Sequence, residues 1–292
     1  MSEAAKGHLA MLLFSALVAG SFSLGVLAAN QIAPVALNTI RFVIAAVLVG
    51  GALALGGRMR RADYRAAWRY LILGSVFASY FVLMFEGLKT APPVSAAAVF
   101  TLMPLMAAGF GWLLLRQVAS GWMLSALMIG AAGALWVIFG GDLSALMRFE
   151  VGRGEAIYFV GCIMHALYVP LVRMLNRGEG AVPFTFGTLV AGALAMTLWG
   201  WRDIAATDWT ALAPIVWVTI AYVSVFATAI TFVLVQYGSL RLPSGKVMAY
   251  SYLTPTWVIA WELALGHGGP PGIVLVGIAL TVVALTMLLA NR

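Results

Sequence analysis

Continuous apolar runs of about twenty residues, separated by short turns, recur along the whole chain. Roughly 20 apolar residues in a helix cross the ~30 Å hydrocarbon core of a bilayer. Because the runs do not alternate apolar and polar positions, they are not typical of a membrane β-barrel. The pattern predicts an all-α polytopic membrane protein with ten transmembrane helices. Their approximate bounds are 8–29, 34–56, 67–89, 93–115, 120–140, 155–176, 182–201, 212–237, 244–266 and 270–290.

The composition excludes several other classes of protein. Of the 292 residues, 63% are hydrophobic and 9% are charged, whereas an ordinary soluble domain carries about 25% charged residues. A soluble enzyme, a coiled coil, a disordered chain and a disulfide scaffold are therefore excluded. The linkers between the apolar runs are short, so we expect function to reside within the membrane or at its edges.

The distribution of basic residues predicts an orientation. With a cytoplasmic N-terminus, the inside segments would hold twelve Lys and Arg residues and the outside segments four, with Arg41 inside a span. Lys and Arg favour cytoplasmic loops, so we expect both termini in the cytoplasm of a bacterial inner membrane. The net charge of +7 is explained in the same way. The expected partners are therefore the lipid bilayer and a small-molecule substrate, and not nucleic acid.

The two halves of the chain match at an offset of 151 residues. Five helices per half is an odd number, so the second copy would enter the membrane from the opposite side. We therefore expect a first five-helix repeat in 1–145 and a second, inverted repeat in 146–292, forming one membrane domain. Such repeats are typical of secondary transporters, whose substrate site lies near mid-membrane between the repeats. The matched pairs include Phe81 with Phe232, Gly87 with Gly238, Pro92 with Pro243, Ala98 with Ala249, Leu102 with Leu253 and Pro104 with Pro255.

Pro104 and Pro255 are predicted to kink the fourth and ninth helices near their centres. A helical proline frees the carbonyl four residues earlier, here that of Phe100 or of Ser251. Free carbonyls at mid-membrane need a partner or a watery cavity. Two interpretations stay open: simple packing kinks, or kinks that border a central cavity.

A set of aromatic and mildly polar residues is expected at the same depth. Polar residues at the bilayer centre usually face the bundle interior, although each could equally serve interhelical bonding. Together they describe a pocket without a fixed charge, which suits a small organic solute better than a bare ion. The predicted substrate-binding residues are Ser79, Tyr80, Phe100, Met103, His165, Tyr168, Phe226, Tyr250 and Ser251.

Ionisable residues within the predicted spans are few. Glu86 and Glu262 lie toward the outer ends of their helices, and Arg41, about two turns into the second span, could snorkel to the interface. A proton relay would therefore depend on His165, which could equally be a simple hydrogen-bonding residue. The sequence contains no metal-ligand spacing, nucleotide loop or catalytic triad, so we expect no cofactor, no metal and no catalytic residues. Small residues at 130–133 predict close helix packing, either within a monomer or between the protomers of a homodimer.

Ten spans in two inverted repeats resemble the drug/metabolite transporter superfamily, specifically its EamA-type exporters. The stretch 34–42, from proline to arginine, is similar to a recurring one in that family. The resemblance implies alternating-access export of small metabolites. Alternatives are efflux of cationic drugs and, from a different class, a membrane-embedded enzyme.

Two stretches are similar to bacterial aromatic amino acid exporters of that superfamily. They are Ser251-Tyr252-Leu253-Thr254-Pro255 and the pair Ser79-Tyr80. The resemblance implies that Ser251, Ser79 and Tyr80 border the substrate cavity. Met103 and His165 stand where those exporters have tryptophans, which implies a broader amino acid range.

Overall fold

The computed structural model describes residues 3–56, 60–148 and 151–290 and is entirely helical in its regular structure over that part. In the first half, α1 is Glu3–Ala29, α2 Pro34–Leu55, α3 Ala67–Gly87, α4 Pro93–Phe100, α5 Met103–Leu115, α6 Gly121–Ile138 and α7 Leu143–Arg148. In the second half, α8 is Arg153–Leu175, α9 Ala181–Ala206, α10 Pro214–Ser224, α11 Thr231–Ser239, α12 Ser244–Ala249, α13 Thr254–Ala264 and α14 Val274–Ala290. A short 3₁₀ turn, Arg61–Tyr64, precedes α3.

The helices make this a multi-pass membrane protein. Eight helical segments of the described chain are long and apolar enough to cross a bilayer, among them Pro93–Leu115 and Pro214–Ser239. Two further apolar segments are 244–264, which is interrupted, and α14, which has 17 residues. Large apolar side chains such as Leu198, 78% exposed, cover the outside of the bundle, as lipid contact requires. The count of ten spans depends on the last two segments and stays a prediction.

Three of the predicted continuous helices are interrupted. A turn at 101–102 separates α4 from α5, a 3₁₀ turn at Tyr250–Leu253 separates α12 from α13, and a π-helical segment at Val225–Ile230 separates α10 from α11. Pro104 and Pro255 are each the second residue of the helix that follows the break. We predicted kinks inside helices; instead each proline lies in a first turn, where its missing N–H has no intrahelical partner to lose.

Helices from the two halves pack closely together: α3 lies against α8 and α9, and α6 against α14. A Cβ on Gly133 would lie 2.6 Å from the carbonyl oxygen of Gly277, and a Cβ on Gly277 would lie 2.6 Å from the carbonyl oxygen of Gly133. Gly130 faces the ring of Tyr252 in the same way. The small residues at 130 and 133 therefore serve packing within the chain, which was one of the two alternatives.

The start of α3 is joined to the end of α8 and to the loop after it, at the end of the bundle where α1 begins, here called the inner end. Arg69 donates to Glu179 at 2.6 Å and to the carbonyl of Leu175 at 2.7 Å. Burial alone would raise the pKa of Glu179, but the hydrogen bonds from Arg69 and from the backbone of Arg177 hold it below its ordinary value. The opposite end, where α1 ends and α2 begins, is called the outer end. Which end faces the cytoplasm stays a prediction.

Candidate functional site

A cluster of rings fills the space between α3 and α8. Phe77, Tyr80 and Phe81 are spaced at i, i+3 and i+4, so they share one face of α3. His165 lies with its ring centroid 4.5 Å from that of Tyr80 and 4.7 Å from that of Phe77, and Tyr168 stacks on Phe77 at 4.1 Å. We call this the aromatic cluster; its members are Phe14, Phe22, Phe77, Tyr80, Phe81, Phe100, Tyr158, His165, Tyr168 and Phe232.

Four of the predicted site residues meet in this cluster: Tyr80, Phe100, His165 and Tyr168. All four are fully buried, at 1% exposure or less. Met103, the first residue of α5, is also fully buried and belongs to the same apolar core. The structure therefore brings together residues from α3, α4, α5 and α8, that is, from both halves of the chain. Their role in substrate binding stays a prediction.

Three other predicted residues have their groups engaged elsewhere. The Ser79 hydroxyl donates to the carbonyl of Ser75 on its own helix, at 2.9 Å. Phe226 is 43% exposed and its ring packs on Tyr222. The Tyr250 hydroxyl lies 3.2 Å from Nδ1 of His8, near the inner end. The structure thus does not place these groups in the aromatic cluster.

The interior contains buried polar atoms that have no hydrogen-bond partner within the described part of the chain. Both ring nitrogens of His165, the Ser251 hydroxyl and the Thr254 hydroxyl are in this state, and each residue is at most 1% exposed. An unsatisfied buried polar group costs roughly 1–3 kcal/mol, so each calls for an explanation such as a bound ligand or water. Ser251 lies in the 3₁₀ break and Thr254 begins α13. The predicted kink region of the ninth span is therefore rich in unused hydrogen-bonding capacity.

Further polar atoms of this kind were missed by the sequence analysis. The hydroxyls of Ser21 and Ser23 on α1 and of Ser224 at the end of α10 are buried and unpartnered. The available signal was weak, because single serines within apolar runs are usually bonded to their own helix.

Arg41 was also misjudged, because the interpretation that it could snorkel to the interface is wrong. It has 0% exposure and donates to the carbonyl of Ala227 at 2.7 Å and to the hydroxyl of Thr228, both in the π-helical segment. Its guanidinium carbon lies 3.8 Å from the centroid of the Phe81 ring. The π segment offers a carbonyl and a hydroxyl inside the bundle, and these hold the arginine there. A fixed positive charge therefore borders the aromatic cluster, contrary to the uncharged pocket that we predicted.

Most of the carboxylates lie away from the aromatic cluster, but Glu155, 8% exposed, is one helical turn from Tyr158 on α8 and accepts from the Ser95 hydroxyl at 2.8 Å. Of the ten acidic residues, all except Glu150 are described, and these lie in loops or near helix ends. Glu86 accepts from Lys89 at 2.7 Å, and Glu262 lies 3.0 Å from Nδ1 of His267. Both pairs are at the outer end, where the sequence predicted the two glutamates.

A pocket of about 240 Å³ opens at the outer end, between α2, α3 and α9. The non-helical backbone of Gly200 interrupts α9 beside it. No sequence pattern indicated this pocket, because its walls come from three separate helices. It is lined by Ala33, Pro34, Val35, Val82, Glu86, Trp199, Gly200 and Asp203.

Comparison with known proteins gives three findings. The sequence profile of the EamA-like transporter family matches twice, over residues 5–139 and 152–290. An uncharacterized transporter, YyaM, of Bacillus subtilis (strain 168) is 23% identical over 265 residues, which cover 89% of this chain and 86% of that protein. A solved crystal structure of a protein 21% identical in sequence superimposes with a TM-score of 0.75. The superposition covers 100% of this chain and 99% of the chain in that structure. Because only 21% of the residues are identical, the similarity to this crystal structure concerns the fold alone.

Proposed function

The chain belongs to the EamA-like transporter family, so it is a transporter and not an enzyme, and from this premise we propose that it exports amino acids by alternating access. We further propose a broad range of substrates that includes aromatic amino acids and related small metabolites. The observation that carries the proposal is that polar atoms of His165, Ser251 and Thr254 are buried in a largely apolar core without partners among the described residues.

An amino acid carries the complementary groups. Its ammonium can donate to a nitrogen of His165 or to a hydroxyl, and its carboxylate can accept from the hydroxyls of Ser251 and Thr254. Such bonds are worth about 1 kcal/mol when neutral and about 1.5–3 kcal/mol when one partner is charged. The rings of Tyr80 and Tyr168 would contact the side chain of the substrate. Met103 is unbranched and adaptable, which favours substrates of different shapes.

The remaining predicted site residues are not equally well supported, because one lies in the aromatic cluster and three do not. Phe100 is in the aromatic cluster, so its role as a wall agrees with its surroundings. Ser79, Phe226 and Tyr250 would have to be exposed to the substrate in another state of the transport cycle. Alternating access supplies such states, because one half of the protein moves against the other.

The proposed architecture is ten transmembrane helices in two inverted five-helix repeats. Two observations support it: the family profile matches the chain twice, and the breaks before Met103 and Thr254 are 151 residues apart. We propose the bacterial inner membrane, with both termini cytoplasmic. A reporter active only in the periplasm, fused after residue 292, should be silent; activity there would refute the ten-span topology.

Efflux of cationic drugs is the competing function within transport. It would favour a carboxylate beside the site, but the described carboxylates lie in loops or near helix ends, and the charge that borders the aromatic cluster is the positive one of Arg41. We therefore place amino acids ahead of organic cations.

Counterflow in proteoliposomes tests the proposal. Purified protein in vesicles loaded with unlabelled amino acid should accumulate the labelled amino acid, across a panel of aromatic, aliphatic and polar ones. Protein-free vesicles are the control for leakage. If no amino acid exchanges while a cationic compound does, the proposed function is wrong.

A further inference from the structure

Arg41 is a buried cation for which the described part of the chain supplies no carboxylate partner. Its donors contact neutral groups: the carbonyl of Ala227, the hydroxyl of Thr228 and, at 3.3 Å, Oδ1 of Asn38. The Phe81 ring below it is also neutral. Charged residues inside membrane segments are costly and mark substrate or ion pathways, and buried charges are normally paired.

The surroundings hold the guanidinium in one orientation. Asn38 donates through Nδ2 to the carbonyls of Pro34, at 2.8 Å, and Phe81, at 3.2 Å, which turns Oδ1 toward Arg41. The three contacts of Arg41 use three of its five N–H groups. One N–H on each of the two terminal nitrogens therefore stays available, and a guanidinium binds a carboxylate through two parallel N–H bonds.

Arg41 lies about two turns further along α2 than the residues that line the outer pocket, and it contacts the aromatic cluster through Phe81. Pro34 lines the pocket, and Pro34, Asn38 and Arg41 follow one another at i, i+4 and i+7 along one face of α2. Toward the centre of the bundle, the ring centroid of Phe81 lies 4.5 Å from that of Tyr80 in the aromatic cluster. A solute that passes between the cluster and the outer end would thus meet this charge.

We infer that Arg41 binds the carboxylate of the transported solute, so that the protein selects solutes carrying a carboxylate. The inference deepens the proposed function and rests on it for the site. It moves the carboxylate from the hydroxyls of Ser251 and Thr254 to Arg41. Those hydroxyls and His165 would then bind the amino group, and the aromatic cluster would contact the side chain. The alternative is a purely structural role, in which Arg41 ties α2 to the π-helical segment.

Competition on the parent protein is the first test. Unlabelled competitors would be a transported amino acid, its carboxamide, its methyl ester and the 2-oxo acid of the same side chain. The carboxamide and the ester should inhibit exchange of the labelled amino acid at least about tenfold more weakly than the free acid does, because neutral groups do not replace the charged bidentate pair. Inhibition by the carboxamide within twofold of the acid overturns the inference.

Variants separate binding from structure. In Arg41→Gln the preference for the acid over the carboxamide should fall to about twofold or less, whereas Arg41→Lys should keep part of it. Thr228→Val is the matched control, because it removes a partner of Arg41 and keeps the charge. The control should keep the parent ratio even where the rate falls. If a folded Arg41→Gln keeps the full preference for the acid over the carboxamide, and exchanges both compounds more slowly to the same extent, Arg41 has a structural role and the inference is overturned.

The outcomes distinguish the two proposals. If Arg41→Gln does not fold, the ratio in Arg41→Lys decides: a ratio below that of the parent protein supports the role of Arg41, and an unchanged ratio overturns it. If amino acids and their carboxamides exchange equally, amino acid transport stands and the role of Arg41 falls. If the 2-oxo acid exchanges with a preference that depends on Arg41 and no amino acid does, the role of Arg41 stands and the proposed function falls.

Discussion

The break between α4 and α5 and the break between α12 and α13 occur 151 residues apart and differ in chemistry. At the first break, Thr101 donates to the carbonyl of Ala98 at 2.7 Å, and the neighbours Phe100 and Met103 are apolar. At the second break, Ser251 and Thr254 are equally buried but their hydroxyls have no partner. The backbone interruption is thus common to both places, while unused polar capacity occurs in the second. We propose that the second break recognises polar groups of the substrate and that the first contacts its apolar side chain.

Filling the second break should have the largest effect. Ser251→Trp is expected to abolish transport while the protein still reaches the membrane, because the indole occupies the space proposed for the substrate. The measurement is counterflow with purified protein. Ser125→Trp, at an exposed serine of α6, is the matched control and should exchange at near the parent rate. Exchange by Ser251→Trp at the parent rate for every amino acid would contradict this assignment.

A change at the first break should alter selectivity rather than abolish transport. Met103→Trp is expected to shift preference several-fold toward aromatic substrates, because a rigid ring replaces an adaptable thioether chain. The ratio of phenylalanine to leucine uptake measures the shift. Met128→Trp, at a site 55% exposed, provides the control. An unchanged ratio in a well-folded Met103→Trp would mean that the first break does not contact the side chain of the substrate.

Removing one hydroxyl from each break compares the two directly. Thr101→Val loses the bond to Ala98 and should lower the free energy of unfolding by about 1 kcal/mol, with substrate affinity kept. Thr254→Val loses no bond in the structure, so its stability should change less, while its affinity falls by about tenfold or more, as the loss of one hydrogen bond to a charged group predicts. Thermal unfolding and the concentration dependence of exchange give the two quantities. If the two variants change equally in the free energy of unfolding and in substrate affinity, the difference between the two breaks has no functional meaning.

Substitutions far from both breaks should have the smallest effect. Glu86→Gln and Glu262→Gln should each keep at least about half of the parent exchange rate, since we expect transport to follow the gradient of the substrate itself. The Glu86–Lys89 pair is half-exposed, with Glu86 40% and Lys89 32% exposed, and exposed pairs contribute about 0–1 kcal/mol. Complete loss of exchange in either variant, with normal expression and folding, would indicate that a carboxylate couples transport.

The long helices were predictable from the sequence because continuous apolar runs leave few alternatives. The paired prolines indicated where two of the three breaks lie, although kinks were predicted there and not interruptions. The meeting of His165 and Tyr168 was also predictable, since residues three apart share a helix face. Ser79 precedes Tyr80 by one position, about 100° around the helix, so both could not face the same cluster.

The residues around the π-helical segment were not predictable. A π-helical insertion changes the phase of a helix, and Phe226 lies within that segment with 43% exposure. Arg41 was misplaced for a related reason, since its partners Ala227 and Thr228 are nearly two hundred residues away in the sequence. Contacts of this kind depend on how the two halves pack and not on any local pattern.

Protection of a cysteine at the second break tests the central claim most directly. In a Cys162→Ala background, which removes the single, buried native cysteine, Ser251→Cys would be reacted with a membrane-permeant maleimide in proteoliposomes. A saturating, transported amino acid should slow the labelling of Ser251→Cys several-fold and leave that of the exposed control Ser125→Cys unchanged. Labelling of Ser251→Cys at the same rate with and without the amino acid would contradict the account.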